Sequence, residues 1–313
     1  MLFRSTGLDV DIRSIDAGVA AAFLDDLADA SGRAERDHRV ALQVVGADDA
    51  LACQRMLAGQ HTGQFGDQQV INDMVSFSFV ARVMGYDRKI KPGRYLLRAN
   101  MSNREAVKAL SAGRREAVKI TFTHVRLLDD LKERITANIG VSPEEFEGAL
   151  EDFIDSGDRG FTTETALCMF IPNTYEVYFN ITPEELVNRM HQEYLKFWNA
   201  DRLSKAEAMG LTPVQVSILA SIVQAESLKS DESPVIAGLY LNRLRKGIPL
   251  QADPTLVYAS GDFTIRRVLN VHKQIESPYN TYKYAGLPPG PINMPYIGSI
   301  DAVLNAASHD YYY

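Results

Sequence analysis

Cysteine, long apolar runs and clustered positive charge are all scarce in this chain, and each scarcity removes a class of protein. No stretch approaches the roughly 18 apolar residues of a membrane span, and no basic segment followed by an apolar core opens the sequence. The two cysteines, Cys53 and Cys168, lie in the apolar contexts ALACQRML and TALCMFIP. Two are too few for a disulfide framework, so both read as small buried hydrophobes. Acidic residues outnumber basic ones, 40 to 33, for a net charge of −7, and no basic stripe breaks the mixture. Nucleic acid is therefore excluded as a partner, because phosphate binding needs a basic face. The histidines, six in all, stand singly, with no His-Glu-x-x-His and no cysteine pair at ligand spacing. No zinc site follows. A Gly-rich phosphate loop and a Gly-x-Ser-x-Gly elbow are also missing, and no cofactor is expected.

What is present is room for about two domains in 313 residues, with an ordinary 46% hydrophobic content. The pattern predicts an α+β protein. Residues 1–38 receive no assignment: DVDIRSID alternates like a strand, AGVAAAFLDDLADAS reads as an Ala-rich helix, and GRAERDHR reads as a linker. From Arg39 the pattern predicts a strand (RVALQVVG), two helices (DDALACQRML and QQVINDMVSFSFVARVMGY) and a second strand (KIKPGRYLLR). A helix capped by Ser102 and Glu105 and closed at Gly113 comes next, then the strand AVKITFT. From 118 onward the chain reads as a mostly helical α+β domain. Ser142-Pro143 and Thr182-Pro183 open helices, the second running through NADRL, and NTYEVYFN is a strand with an aromatic face.

The stretch of most chemical interest is LTPVQVSILASIVQAES, residues 211–227. Thr212 and Gln215 form a capping box and Pro213 takes the first helical position. Val216, Leu219, Ile222 and Val223 recur at helical spacing, and Glu226 follows Ile222 by four residues, which puts a carboxylate on the apolar face. Desolvation there and the negative end of the helix both raise its pKa, as a general acid for glycosidic cleavage requires. The alternative, that Glu226 points to water where the helix emerges, stays open. After it, DESPVIAGLYLNRLRKG predicts an antiparallel neighbour with the stripe Ile236, Leu239, Tyr240 and Leu244. Asp253-Pro254 opens a further helix. Asp253 is either a helix cap or the second carboxylate of a two-carboxylate glycosidase. The last third is dense in Pro and Gly (SPYNTY, AGLPPGPINMP) but also spends tyrosines and asparagines, so it reads as ordered binding loops rather than linker. SIDAVLNAASH is a final helix, and HDYYY reads as the start of a strand.

Four blocks, MFIPNTYEVYF, SILASIVQAES, GLYLNRLRKGIPLQADPTLVYA and SPYNTYKYAGLPPGPI, occur in that order over residues 168–313 and resemble the YceG-like endolytic murein transglycosylases, the MltG family. KPGRYLL and the unit before it resemble that family's LysM-like peptidoglycan-binding module, here residues 39–117, with 118–313 as the catalytic domain. The resemblance implies non-hydrolytic cleavage of peptidoglycan glycan strands between N-acetylmuramic acid and N-acetylglucosamine, leaving a 1,6-anhydro end. Glu226 matches the catalytic glutamate, acid and then base. Asn242, Gln251, Asp253, Tyr279, Asn280, Thr281 and Tyr282 become candidates for the glycan cleft, and Leu287-Pro288-Pro289-Gly290 its wall. Cell-wall synthases are the implied protein partners, and the extracytoplasmic face of the inner membrane the implied location. Members carry an N-terminal membrane helix and continue past the HDYYY region, so a fragment is expected. His124-Val125 depart from the acidic residue and glycine that many members carry. Two other readings remain: a non-catalytic peptidoglycan-binding protein, and a muramidase using Glu226 and Asp253. The catalytic reading requires Glu226 to face residues 251–253 and 279–290.

Overall fold

The computed structural model describes residues 2–5, 8–11, 39–44, 74–86, 93–98, 101–113, 117–157, 159–227 and 229–313. The chain divides into two units, Met1–Val118 with Val177–Asn180, and Lys119–Glu176 with Ile181–Tyr313. It is a helix-rich α+β protein whose sheets, among the described residues, are pairs of strands.

In the first unit, strands β1 (Leu2–Ser5) and β2 (Leu8–Asp11) pair antiparallel. Strand β3 (Arg39–Val44) pairs antiparallel with β4 (Gly93–Arg98), setting Arg39 opposite Arg98 and Val44 opposite Gly93. Helix α1 (Met74–Val83) lies between them in sequence; the expected helix over DDALACQRML, with Cys53, lies outside the described residues. Helix α2 (Asn103–Ala112) begins where Ser102 and Glu105 exchange capping bonds and ends at Gly113, whose φ of 65° is a left-handed conformation that glycine adopts without strain. Its buried face is Ala106, Val107 and Leu110, and Asn103 Nδ2 donates to Ser76 Oγ at 2.6 Å, tying α2 to α1.

Strand β5 (Ala117–Phe122) pairs with β6 (Asn173–Tyr178), and the division between the units falls within both strands. Alternation buries Val118, Ile120 and Phe122, and Phe122 stacks on Tyr175 with centroids 5.4 Å apart. Helices α3 (Leu128–Thr136), α4 (Pro143–Asp155) and α5 (Pro183–Phe197) follow, the last two opening at the predicted Ser142 and Thr182, each of which forms a capping box. The helix expected to run through NADRL is in fact two. Trp198 leaves the helical conformation (ψ 64°), and Asn199 Oδ1 caps a new helix, α6 (Ala200–Ala208), by accepting from the Arg202 N–H at 3.0 Å. The run ALCM forms a buried 3-10 turn, where burial raises the Cys168 thiol pKa.

Helix α7 (Pro213–Glu226) is the hub. It begins at the predicted Thr212–Gln215 box, and α6, α8 (Ser233–Arg245), α9 (Asp253–Ser260) and α10 (Ile297–Leu304) all pack on it. The expectation of one apolar face is too narrow: Ser217, Ile218, Ala220 and Ser221 are buried beside Val216, Leu219, Ile222 and Val223. The two serines tolerate this because Ser217 Oγ donates to Pro213 O at 3.1 Å and Ser221 Oγ to Ile218 O at 2.7 Å, so neither hydroxyl is left unpaired. No single helix among the described residues is long and apolar enough to cross a membrane.

Residues 305–313 run along α8 without forming a strand, contrary to the reading of HDYYY. The Asn242 amide donates to His309 O (2.7 Å) and Tyr311 O (3.2 Å), taking carbonyls that a ladder would need. Ala307 N donates to Pro234 O at 2.9 Å. Gly238 makes the approach possible, since a Cβ there would stand 2.3 Å from Ala307 O and 2.7 Å from His309 Nε2. Gly238→Ala should lower stability by about 1–3 kcal/mol in urea unfolding, the usual cost of overpacking.

Candidate active site

Helix α7 stops at Glu226, and Ser227 turns into extended backbone (φ −139°). The side chain keeps more than a third of its surface, so a ligand can reach it, while protein crowds its flanks. That crowding raises its pKa above the ordinary glutamate value. Desolvation is the largest cause, opposed by a hydrogen bond from Tyr240 and reinforced by the negative charge of Asp253.

These neighbours arrive for local reasons. Helix α8 packs against α7, and Tyr240 reaches Glu226 from it. Burial, then the Glu226 charge, raises the Tyr240 pKa, so its hydroxyl stays a donor. Asp253 opens α9 but is not its cap: that position is Ala252, whose N–H donates to Thr281 Oγ1 at 3.0 Å. The capping alternative for Asp253 is thereby corrected: the cap position falls to Ala252, and no side chain caps the helix there. The Asp253 carboxylate instead accepts from the Tyr282 hydroxyl at 2.5 Å, and burial followed by that contact pushes the Tyr282 pKa up to about 12.

Of the expected cleft residues, Glu226, Asp253 and Tyr282 thus form one cluster. Gln251, exposed and two positions before Asp253, joins it through Arg243 on α8, whose Nη2 donates to Gln251 Oε1 at 3.1 Å. Gln251 is the one non-glycine among the described residues with positive φ, at 52°, a conformation costing on the order of 1 kcal/mol. Asn280 and Thr281 offer a ligand no surface, at 0% and 2% exposure. Asn280 Nδ2 donates to Lys273 O and Ile275 O, its Oδ1 accepts from Tyr282 N, and Thr281 O accepts from Gln251 N. They hold the loop that presents Tyr282. Tyr279 packs on Tyr258 with centroids 4.6 Å apart, and Asn242 serves residues 309 and 311. In the Leu287-Pro288-Pro289-Gly290 turn, a Cβ on Gly290 would meet Glu164 O at 2.1 Å, so only glycine fits.

Sequence reasoning singled out neither Tyr240 nor Arg243 as part of the site. The available signal was that Tyr240 alone carries a hydroxyl in its apolar stripe. It also missed the clamp on the PINMP segment. Ser221 Oγ accepts from Ile292 N at 3.1 Å, Ser221 O from Asn293 Nδ2 at 2.9 Å, and Gln224 Oε1 from Tyr296 N at 2.5 Å. Where His124-Val125 depart from the pattern, the His124 ring meets Tyr296 edge-on at 4.9 Å, and Val125 O accepts from Met294 N. Among the described residues no three His, Cys, Asp or Glu side chains are placed to hold a metal.

The sequence profile of the YceG-like family matches residues 57–313. The chain belongs to the YceG-like family. It is 28% identical over 271 residues to an endolytic murein transglycosylase of Streptococcus pneumoniae, covering 76% of this chain and 48% of that protein. An endolytic murein transglycosylase of Bacillus subtilis is 43% identical over 95 residues, 30% of this chain and 26% of that one. The chain therefore spans about half the length of the first relative and about a quarter of the second. A YceG-like protein of Listeria monocytogenes has a similar fold, with a TM-score of 0.55 at 23% identity, covering 88% of this chain and 92% of that one.

The Glu226 environment sets a stability test for this YceG-like chain. The folded state holds the Glu226 proton more tightly than the unfolded chain, so its contribution is complete below the ordinary glutamate pKa and is lost as pH rises through the raised value. Glu226→Gln, which does not ionise, should melt above the wild type at neutral pH and level with it below about pH 4; thermal melts at both pH values measure the difference.

Proposed function

We propose that this chain is a peptidoglycan lytic transglycosylase in which Glu226 acts alone, first as acid and then as base. The observation that carries the reading is a ligand-accessible carboxyl with a raised pKa beside an Asp253 carboxylate that Tyr282 already occupies. A protonated Glu226 gives its proton to the oxygen linking N-acetylmuramic acid to N-acetylglucosamine as the C1–O bond breaks. Glu226, now a carboxylate, takes the proton of the muramic acid's own C6 hydroxyl, and O6 closes on C1 to form the 1,6-anhydro ring. No water is consumed, and the carboxyl ends as it began. The negative charge of Asp253 favours the protonated start, and Tyr240 steadies the ionised stage.

The names of the relatives support the same substrate. In this reading residues 39–117 form a LysM-like module that holds glycan, residues 118–313 cut it, and the protein works at the extracytoplasmic face of the inner membrane alongside cell-wall synthases. Digestion of purified murein sacculi tests it. Wild type should release products with anhydro ends, and Glu226→Gln should lose about 10²–10⁴ of that rate. Reducing ends would make it a hydrolase with Asp253 as second carboxylate, and no products from wild type would leave a binding protein.

A further inference from the structure

Arg243 lies one helical turn beyond Tyr240 on α8 and spends its guanidinium on a single turn of chain. Nη1 donates to Leu250 O at 2.5 Å and Nη2 to Gln251 Oε1 at 3.1 Å. The Gln251 backbone is held as well, its N–H bonded to Thr281 O at 3.0 Å and its φ fixed at 52°. A guanidinium has donors and no acceptor, so the atom of the Gln251 amide that faces it has to be the oxygen. The amide NH₂ is therefore turned the other way. It bonds to no described residue, and the side chain is exposed. The Arg243 charge is also felt by Tyr240 and Tyr282, the hydroxyls beside Glu226 and Asp253, which places the Arg243–Gln251 pair at that cluster.

An exposed amide whose oxygen is already engaged by Arg243 offers its free N–H groups to a ligand atom that accepts. Glycan hydroxyls do both and would be served equally by a carboxylate. The oxygen of an N-acetyl group is a pure acceptor. We propose that Arg243 is a positioning residue that locks the Gln251 amide with its donors outward, and that Gln251 recognises the carbonyl of an N-acetyl group on the glycan. This rests on the transglycosylase reading and adds a specificity to it.

Gln251→Glu separates recognition from structure, because a carboxylate keeps an acceptor for Arg243 but presents an acceptor where the amide presented donors. It should melt at or above the wild-type temperature. On defined glycan strands, fully N-acetylated or chemically de-N-acetylated, wild type should prefer the acetylated form by about tenfold in kcat/KM, the worth of one hydrogen bond, and Gln251→Glu should lose that preference. Arg243→Met should lose it too, since the amide can then turn over, while Arg243→Lys, again a pure donor, should retain it. A role in stability alone would not move this ratio. Retention of the wild-type preference by Gln251→Glu, or its loss in Arg243→Lys as in Arg243→Met, would overturn the proposal. The same strands bound to Glu226→Gln, read by calorimetry, report the preference without chemistry. If wild type makes no anhydro ends the activity reading fails, and this binding ratio, with and without Gln251→Glu, still decides the recognition claim.

Discussion

Burial of α7 on every side is the constraint to which the second unit answers. A helix with eight consecutive residues out of water, Val216 to Val223, needs partners around its whole circumference, and α6, α8, α9 and α10 are those partners. Its polar residues are admitted only where their bonds are met: Ser217 and Ser221 bond back to the helix, and Ser221 and Gln224 also take up the segment leading to α10. The consequence for chemistry lies at the one end that the packing leaves open. Glu226 is the last residue of the helix, so its backbone is as firmly placed as the core while its carboxyl stands at the surface.

Around that carboxyl, three hydroxyls and a guanidinium divide two kinds of work. Tyr240 and Tyr282 each face one carboxylate, Glu226 and Asp253 respectively. Thr281 supports the backbone, closing the start of α9 through Ala252 N and bonding Thr255 Oγ1 at 2.8 Å. Because the cap position falls to Ala252, the Asp253 carboxylate is engaged by Tyr282 and not by helix N–H groups, and its charge is left for its neighbours to feel. The first residue of a helix has become part of an electrostatic cluster.

What the sequence disclosed follows the range of the forces involved. The starts of α2, α4, α5 and α7 were legible because a capping box is written within four residues. The family was legible because its blocks are contiguous strings. The break at Trp198 was missed because the surrounding periodicity favours a continuous helix and only Asn199 hints at a second cap. Contacts between distant segments were the least visible. Tyr240 meeting Glu226, Asn280 turning inward with its amide spent on Lys273 and Ile275, and Asn242 reaching residues 309 and 311 all depend on how helices and loops fold back, which spacing along the chain does not encode. HDYYY carries the aromatics that strands favour, but a strand needs a partner edge, and Asn242 takes its carbonyls first.

Gln224 lies two residues before Glu226 and grips the entrance of α10, accepting from Tyr296 N and from Ser299 Oγ at 3.2 Å. The acid and the PINMP segment are thus mounted on the same few residues of one helix. Asp253 and Tyr282 are mounted elsewhere, on α9 and its loop. The place of the acid against the PINMP segment is therefore set within one helix, and its place against Asp253 by the packing of two.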